Sequence, residues 1–329
     1  MDASEPFDAS TAPDAAEPDA TPPVDAGDTS DAMVSADAES VDPVGSCAGL
    51  PPICGATHTD DCCATSVIPG GTFNRDNDPL YPATVSPFRL DKYEVTVGRF
   101  RKFFAALESG WRPVAGSGKN PNAANDPGWL KTNQSFVSPL MTYQGPFCES
   151  ELTWTPSPVD VAGESRPVNC ISWESAFAFC IWDGGRLPTE TEWLYAATGG
   201  GDASGQRQYP WSSPSASRQI DPTDANYYVS GCTGPCLIPV GSRPNGDGRF
   251  GQSDLSGNVA EWVLDWGGPY PLPCHDCIAS ASDPMQGHAL RGGSMADVAE
   301  GVLTSARHVP TGNGRGGHYY AGMRCARAP

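Results

Sequence analysis

Asp254-Leu255-Ser256-Gly257-Asn258-Val259-Ala260-Glu261-Trp262 carries two carboxylates seven residues apart, a Gly-Asn pair and a terminal Trp. The Gly-Asn pair favours positive φ and hence a tight turn. The stretch reads as too short and too turn-rich for an ordinary helix or strand. A loop of this kind turns backbone carbonyls and flanking carboxylates inward. The result is an all-oxygen pocket suited to a hard cation, calcium above all. The plainer reading of the same spacing is a surface turn stapled by a buried Trp, because paired acids in loops are common.

Outward from this loop lie further short motifs. Toward the N-terminus they are Ile68-Pro-Gly-Gly-Thr-Phe73, Lys92-Tyr-Glu-Val-Thr96, Pro167-Val168 with Ser172-Trp173, and Gly185-Arg-Leu-Pro-Thr-Glu-Thr-Glu-Trp193. Toward the C-terminus they are Leu290-Arg-Gly-Gly-Ser294 and Gly322-Met-Arg-Cys325. In this order, with Gly257 to Trp262 between them, they resemble the formylglycine-generating enzyme family, also called the sulfatase-modifying factor domain. The resemblance spans about residues 67 to 329. It implies an α+β, C-type-lectin-like fold that is loop-rich, with few short helices and strands. It is less specific for activity, because one fold hosts many functions.

The bulk composition agrees with a loop-rich chain. Of 329 residues, 37 are Gly and 33 are Pro. Twelve Cys in a chain this size favour disulfides and an oxidising compartment, which implies a secreted, periplasmic or surface-tethered protein. Met1 is followed at once by Asp-Ala-Ser-Glu, so no export signal is visible, and one is expected upstream. No apolar run of about 18 residues is present to span a membrane. The net charge of −19 argues against nucleic acid and anionic membranes as partners.

Three segments follow from composition. Residues 1–46 hold twelve Asp and Glu and no Lys or Arg. Such a run cannot bury enough apolar surface to offset its ordering entropy, so it is expected to be a disordered acidic tether or a solubilising leader. Residues 47–66 contain Cys47, Cys54, Cys62 and Cys63 among Pro and Gly, with no His at zinc-ligand spacing. They read as a disulfide-tied collar in which adjacent Cys62 and Cys63 take different partners. Residues 67–329 form the main domain.

Within that domain, Thr72-Phe73 and Phe88-Arg-Leu read as short strands. Val97, Phe100, Phe103, Phe104 and Leu107 repeat at helical spacing, with Thr96 as N-cap and Gly110 as stop. A second helix runs from Ser172 to Trp182. Thr189-Glu-Thr-Glu192 is a capping box that opens a third, which stops at Gly199. Residues 111–165 lack periodicity and are expected to form an irregular excursion walling a groove.

The resemblance implies two calcium sites. Carried over position by position, one is made by the Asp254 side chain, the Gly257 and Val259 carbonyls and the Glu261 side chain. The other begins with Asn226 and Tyr227, but its later Asp position falls at about Cys232, so that site is weakened. Cys232 and Cys236 have appeared in the same loop, and a disulfide there is expected to replace the ion. The resemblance also implies a Cys180–Cys325 bridge, while a second family disulfide is missing, with Ala197 at one end. Cys274 and Cys277, in Cys-His-Asp-Cys, are expected to pair with each other, with Cys232 and Cys236, or with a metal; a disulfide is preferred.

Family members with oxidase activity carry two Cys shortly after Gly-Gly-Ser, which hold copper(I) as soft thiolates. Here those positions are Asp297 and Val302, and Met295 to Pro310 contains no Cys. Copper is therefore not expected. His58, His275, His288, His308 and His318 are scattered and read as surface or loop residues; His308 with Asp297 and Glu300 is the best residual metal or acid–base candidate. Arg315, His318, Tyr319 and Tyr320 are expected to rim the groove.

The expected function is a non-catalytic binding module with a structural calcium. It would take a peptide, protein or glycan ligand. The alternatives are a metal-dependent oxidoreductase or sulfatase-maturation enzyme using non-cysteine ligands, and a purely structural surface module.

Overall fold

A computed structural model describes residues 45–137, 152–155, 157–158, 160–201, 205–228, 236–281, 286–310 and 320–329. Most of the proposed acidic tether, Cys232, Arg315, His318 and Tyr319 lie outside the described residues. Chain contacts separate residues 1–41 from residues 42–329, and the description below concerns the second unit.

The strands are short, as expected of a Gly- and Pro-rich chain. β1 (Thr65–Ile68), β4 (Phe88–Asp91) and β9 (Ala326–Arg327) form one antiparallel sheet with β4 central. β2 (Gly71–Asn74) and β3 (Pro82–Val85) make a hairpin. β5 (Ala260–Trp266), β6 (His288–Arg291), β7 (Arg307–His308) and β8 (Ala321–Gly322) form a mixed sheet in the order β7-β6-β5-β8. β5 corrects the reading of the first loop: its last residues, Ala260 to Trp262, already belong to a strand. The turn signal ends at Asn258, and from there every residue to Asp265 is buried, which a central strand requires.

Among the described residues, three of the four α-helices follow the sequence signals closely. α1 (Val97–Glu108) is capped by Thr96, whose side chain accepts from the Arg99 amide. α2 (Val161–Glu164) is a single turn capped by Asp160 in the segment read as irregular. α3 (Trp173–Trp182) is capped by Ser172. α4 (Glu190–Thr198) opens with the full Thr189–Glu192 capping box and ends at Gly199 in the left-handed conformation. Phe100 and Phe103 of α1 pack on Phe179 of α3 at centroid distances of 5.8 and 5.5 Å. This aromatic cluster continues through Trp173 and Phe177 to Trp262 and Leu264 of β5, forming the larger core. A second core joins α4 to β3, β4 and β5.

Disulfides tie the loops. Cys47–Cys63 and Cys54–Cys62 are nested, so the adjacent cysteines take different partners, as the collar reading requires. Cys180–Cys325 joins α3 to the C-terminal segment across 145 residues. Cys274 pairs with Cys277. Cys170 and Cys236 are also disulfide-bonded; the expected Cys232–Cys236 pairing falls on Cys232, which lies outside the described residues.

Buried arginines, which no periodicity announces, join these parts. Arg99 is fully buried and bonds Asp91 at 2.9 Å, Asp183 at 2.6 Å and the Ser46 hydroxyl at 2.9 Å. With a further bond to the Cys62 carbonyl at 3.4 Å, it fastens the collar to β4 and to the end of α3. Arg327 pairs with the same two acids.

Candidate functional site

The loop before β5 sits where the irregular segments meet. Asp254, Gly257 and Asn258 all have positive φ, at 58°, 85° and 57°. The Gly257 amide donates to Gly292 O, and the Asn258 amide donates to Asn226 O at 2.7 Å. A Cβ at Gly257 would lie 2.2 Å from Asn226 O, so backbone approach as well as φ requires glycine here. The Asn226 and Asn258 side chains bond each other at 3.0 Å. The two segments expected to hold separate calcium ions therefore meet in one place.

The acids of this loop are not equivalent. Asp254 accepts from the Gly241 amide at 2.6 Å. Burial, with Asp247 and Glu261 nearby, pushes its carboxyl up to about 6. Glu261 is held by three donors: Arg324 in a two-pronged fork at 2.8 and 2.7 Å, and Trp193 Nε1 at 2.9 Å. Arg324 also donates to the Asp91, Lys92 and Ser253 carbonyls. A third acid, Glu94, accepts from the Val259 amide and the Asn258 side chain at 3.0 and 2.7 Å. Burial first, then Asp254 and Glu261, hold its carboxyl well above the usual range. Glu94 was not singled out in the sequence, although it stands inside Lys92 to Thr96.

Calcium, implied by resemblance, fits part of this arrangement. Asp254 and the Gly257 and Val259 carbonyls are hard oxygen donors of the right kind. Glu261 does not fit as a direct ligand: its lone pairs are largely taken and a guanidinium stands against it. Among the described residues, no group of three or more His, Cys, Asp or Glu is placed to hold a metal ion. That also corrects the reading of His308, Asp297 and Glu300 as a metal cluster.

Asp297 and Val302, where the resemblance implies a cysteine pair, serve structural ends. Asp297 Oδ2 accepts from the Ser294 amide and hydroxyl at 2.8 and 2.7 Å, closing a tight turn. Val302 is fully buried in an apolar cluster with Tyr209 and Leu303. Its carbonyl accepts from the Ser256 hydroxyl at 2.7 Å. No thiolate stands at either place. His308 lies exposed in β7, and Tyr320 hydrogen-bonds through its carbonyl to the Ala260 amide.

A cleft of about 740 Å³ opens at the far end of β5. Its wall includes Trp173, Phe177, Trp266, Cys277, Ile278 and His288. Trp266 is paired with His288 at this end of the β5–β6 ladder, whereas Glu261 is paired with Arg291 at the other, from which the chain runs on to Asp297. The cleft is thus separated from the Arg291 end, where the chain runs on to Asp297, by the length of β5. His288 stacks on Trp173 at 3.6 Å and packs against Trp266 at 3.9 Å with the rings tilted by 30°. Burial pushes it down to about 3, so it is a neutral packing ring, not the surface or loop histidine expected.

Comparison with known proteins bears on this geometry. Residues 54–329 match the family described as sulfatase-modifying factor enzyme 1-like domain. The chain is 30% identical over 293 residues to the inactive C-alpha-formylglycine-generating enzyme 2 of Mus musculus, covering 79% of this chain and 84% of that protein. It is 30% identical over 233 residues to the formylglycine-generating enzyme of Thermomonospora curvata, covering 60% and 70% respectively. The solved structure of PvdO from Pseudomonas aeruginosa superposes with a TM-score of 0.52 at 20% identity, covering 80% of this chain and 94% of that one; this similarity concerns the fold alone.

Proposed function

The chain belongs to the sulfatase-modifying factor enzyme 1-like family, and from that membership we propose an extracytoplasmic binding protein on the family scaffold, without the family's copper oxidase chemistry. One observation carries this reading: Asp297 is spent on Ser294 and Val302 on an apolar cluster, where the resemblance places two thiolates. Copper(I) is soft, and oxygen and nitrogen donors hold it poorly. The inactive mouse relative agrees with this reading. The disulfides fit an oxidising compartment. The aromatic cleft beside Trp266 is the proposed ligand site, and its dimensions suit a peptide or glycan segment. A metal-dependent oxygenase with other ligands has no converging donor set among the described residues to support it.

The test is turnover. The purified full chain, supplied with copper(I) and oxygen, is expected to leave a Cys-x-Pro-x-Arg peptide unchanged in mass. Formylglycine in that peptide would overturn the reading.

A structural calcium at the Asp254 loop is part of the proposal. Glu94, Asp254 and Glu261 surround one Arg324, a surplus of buried negative charge that a divalent cation would offset. Asp254 with the Gly257 and Val259 carbonyls would hold it, while Glu261 stays with Arg324. Thermal melts at excess calcium are expected to exceed melts in chelator by the stabilisation of a bound ligand, about 2.7 kcal/mol at a hundredfold excess over Kd. Identical melts, with no calcium retained by mass spectrometry, would remove the ion from the account.

A further inference from the structure

Beyond binding, we propose that Cys274–Cys277 is an exchangeable disulfide that oxidises dithiols entering the cleft, with Cys277 as the sulfur attacked. The two cysteines are three residues apart, in Cys274-His275-Asp276-Cys277. Cys277 is half-buried and lines the cleft, while Cys274 is only 4% exposed. An incoming thiol therefore meets Cys277 first.

The surroundings of Cys277 are built for a thiolate. Arg75 is fully buried, and its Nη1 donates to Cys277 Sγ at 3.5 Å. The Pro271 carbonyl at 2.8 Å and the Tyr270 ring, 4.4 Å from the guanidinium carbon, fix it there. Among the described residues Arg75 makes no ion pair, although Arg291 and Arg307 nearby share Glu190. Glu190, Asp265 and Asp76 act on Arg75 from beyond salt-bridge reach, so no carboxylate occupies the place beside it, and a thiolate next to Arg is stabilised. The Thr191 hydroxyl lies 3.8 Å from both sulfurs and can donate to whichever bears charge.

The chemistry balances within the pair and its substrate. A substrate thiolate attacks Cys277 Sγ; the Cys274–Cys277 bond breaks, a mixed disulfide forms, and Cys274 leaves as a thiolate near Thr191 and takes a proton from water. The substrate's second thiolate then attacks the substrate sulfur of the mixed disulfide. The substrate disulfide forms, and Cys277 leaves as a thiolate beside Arg75. Two electrons have passed from the dithiol to the protein. Stabilising the reduced form makes a disulfide a stronger oxidant.

The other bridges with both cysteines among the described residues lack this setting. Cys180, Cys325, Cys54 and Cys62 are fully buried. Cys47–Cys63 is partly exposed, but the polar side chain against its sulfurs is the Ser46 hydroxyl, which has no charge to offer. That bridge serves as an internal control.

The test equilibrates the full native chain in buffers of graded reduced-to-oxidised glutathione, followed by acid quenching, alkylation and peptide mass mapping. Cys274 and Cys277 are expected to be reduced at a glutathione ratio at least tenfold lower than Cys47 and Cys63 need. In the reduced protein, the alkylation rate of Cys277 is expected to titrate below the pKa of about 8.5 of a free cysteine. Arg75→Met should raise that midpoint; because Arg75 is buried, Thr191→Val provides a milder variant with a smaller shift in the same direction. Reduction of Cys47–Cys63 before or together with Cys274–Cys277 overturns the proposal, as does a Cys277 thiol that titrates like free cysteine. The inference does not rest on the loss of copper chemistry, so its failure would leave the binding reading untouched.

Discussion

Arg324→Met is expected to lower the stability of the domain by about 3–5 kcal/mol, read as a shift in the denaturant midpoint. Arg324 is fully buried and forks onto Glu261, which is itself buried and bonded to Trp193. Burial alone would lower its pKa, but Glu261 beside it prevails and raises it, so the cation is firmly held. Methionine fills much of the volume but strands Glu261, next to Glu94 and Asp254, without its guanidinium. Glu261→Gln in the same chain should recover part of the loss, because the remaining partner of Trp193 is then neutral. A single-variant cost under about 1 kcal/mol would show that Glu261 is hydrated rather than held by Arg324 alone.

Cys180→Ser combined with Cys325→Ser is the second large effect. Opening a ring of 145 residues restores entropy to the unfolded chain worth about 5 kcal/mol in the loop-closure picture. Both sulfurs are fully buried in the larger core, so two hydroxyls replace apolar contacts there as well. The double variant is expected to unfold near physiological temperature or fail to accumulate. Calorimetry that finds the melting temperature unchanged would mean that the α3 to C-terminus contact holds without its covalent tie.

Much of the scaffold was legible because local rules state it. Thr96, Ser172 and the Thr189–Glu192 box mark helix starts within one residue, since side-chain caps act over three or four positions. The aromatic spacing of Phe100, Phe103 and Leu107 found the buried face of α1. What escaped was set by distant partners. Nothing local announces that Arg99 spans Asp91 and Asp183, or that Glu94 turns under the Asn258 loop. Glu261 shows the same limit: its position in the motif pointed to a metal, whereas Arg324, 63 residues on, occupies its carboxylate. The strand β5 was masked by the turn residues that precede it. Residues 111–165 were expected to wall a groove, and residues 123–133 do line the cleft beside Trp266; its other walls escaped because they come from three further separate stretches of chain.

Copper(I) affinity tests the central claim most directly, because the reading depends on soft ligands being absent where the family carries them. The purified native chain is titrated with copper(I) against a chromophoric competitor, with free thiols counted in the same sample. The account predicts no free thiols, in keeping with the absence of free cysteines among the described residues, and no copper withdrawn from the competitor. One copper(I) per chain, held tightly by a pair of reduced cysteines, would contradict it.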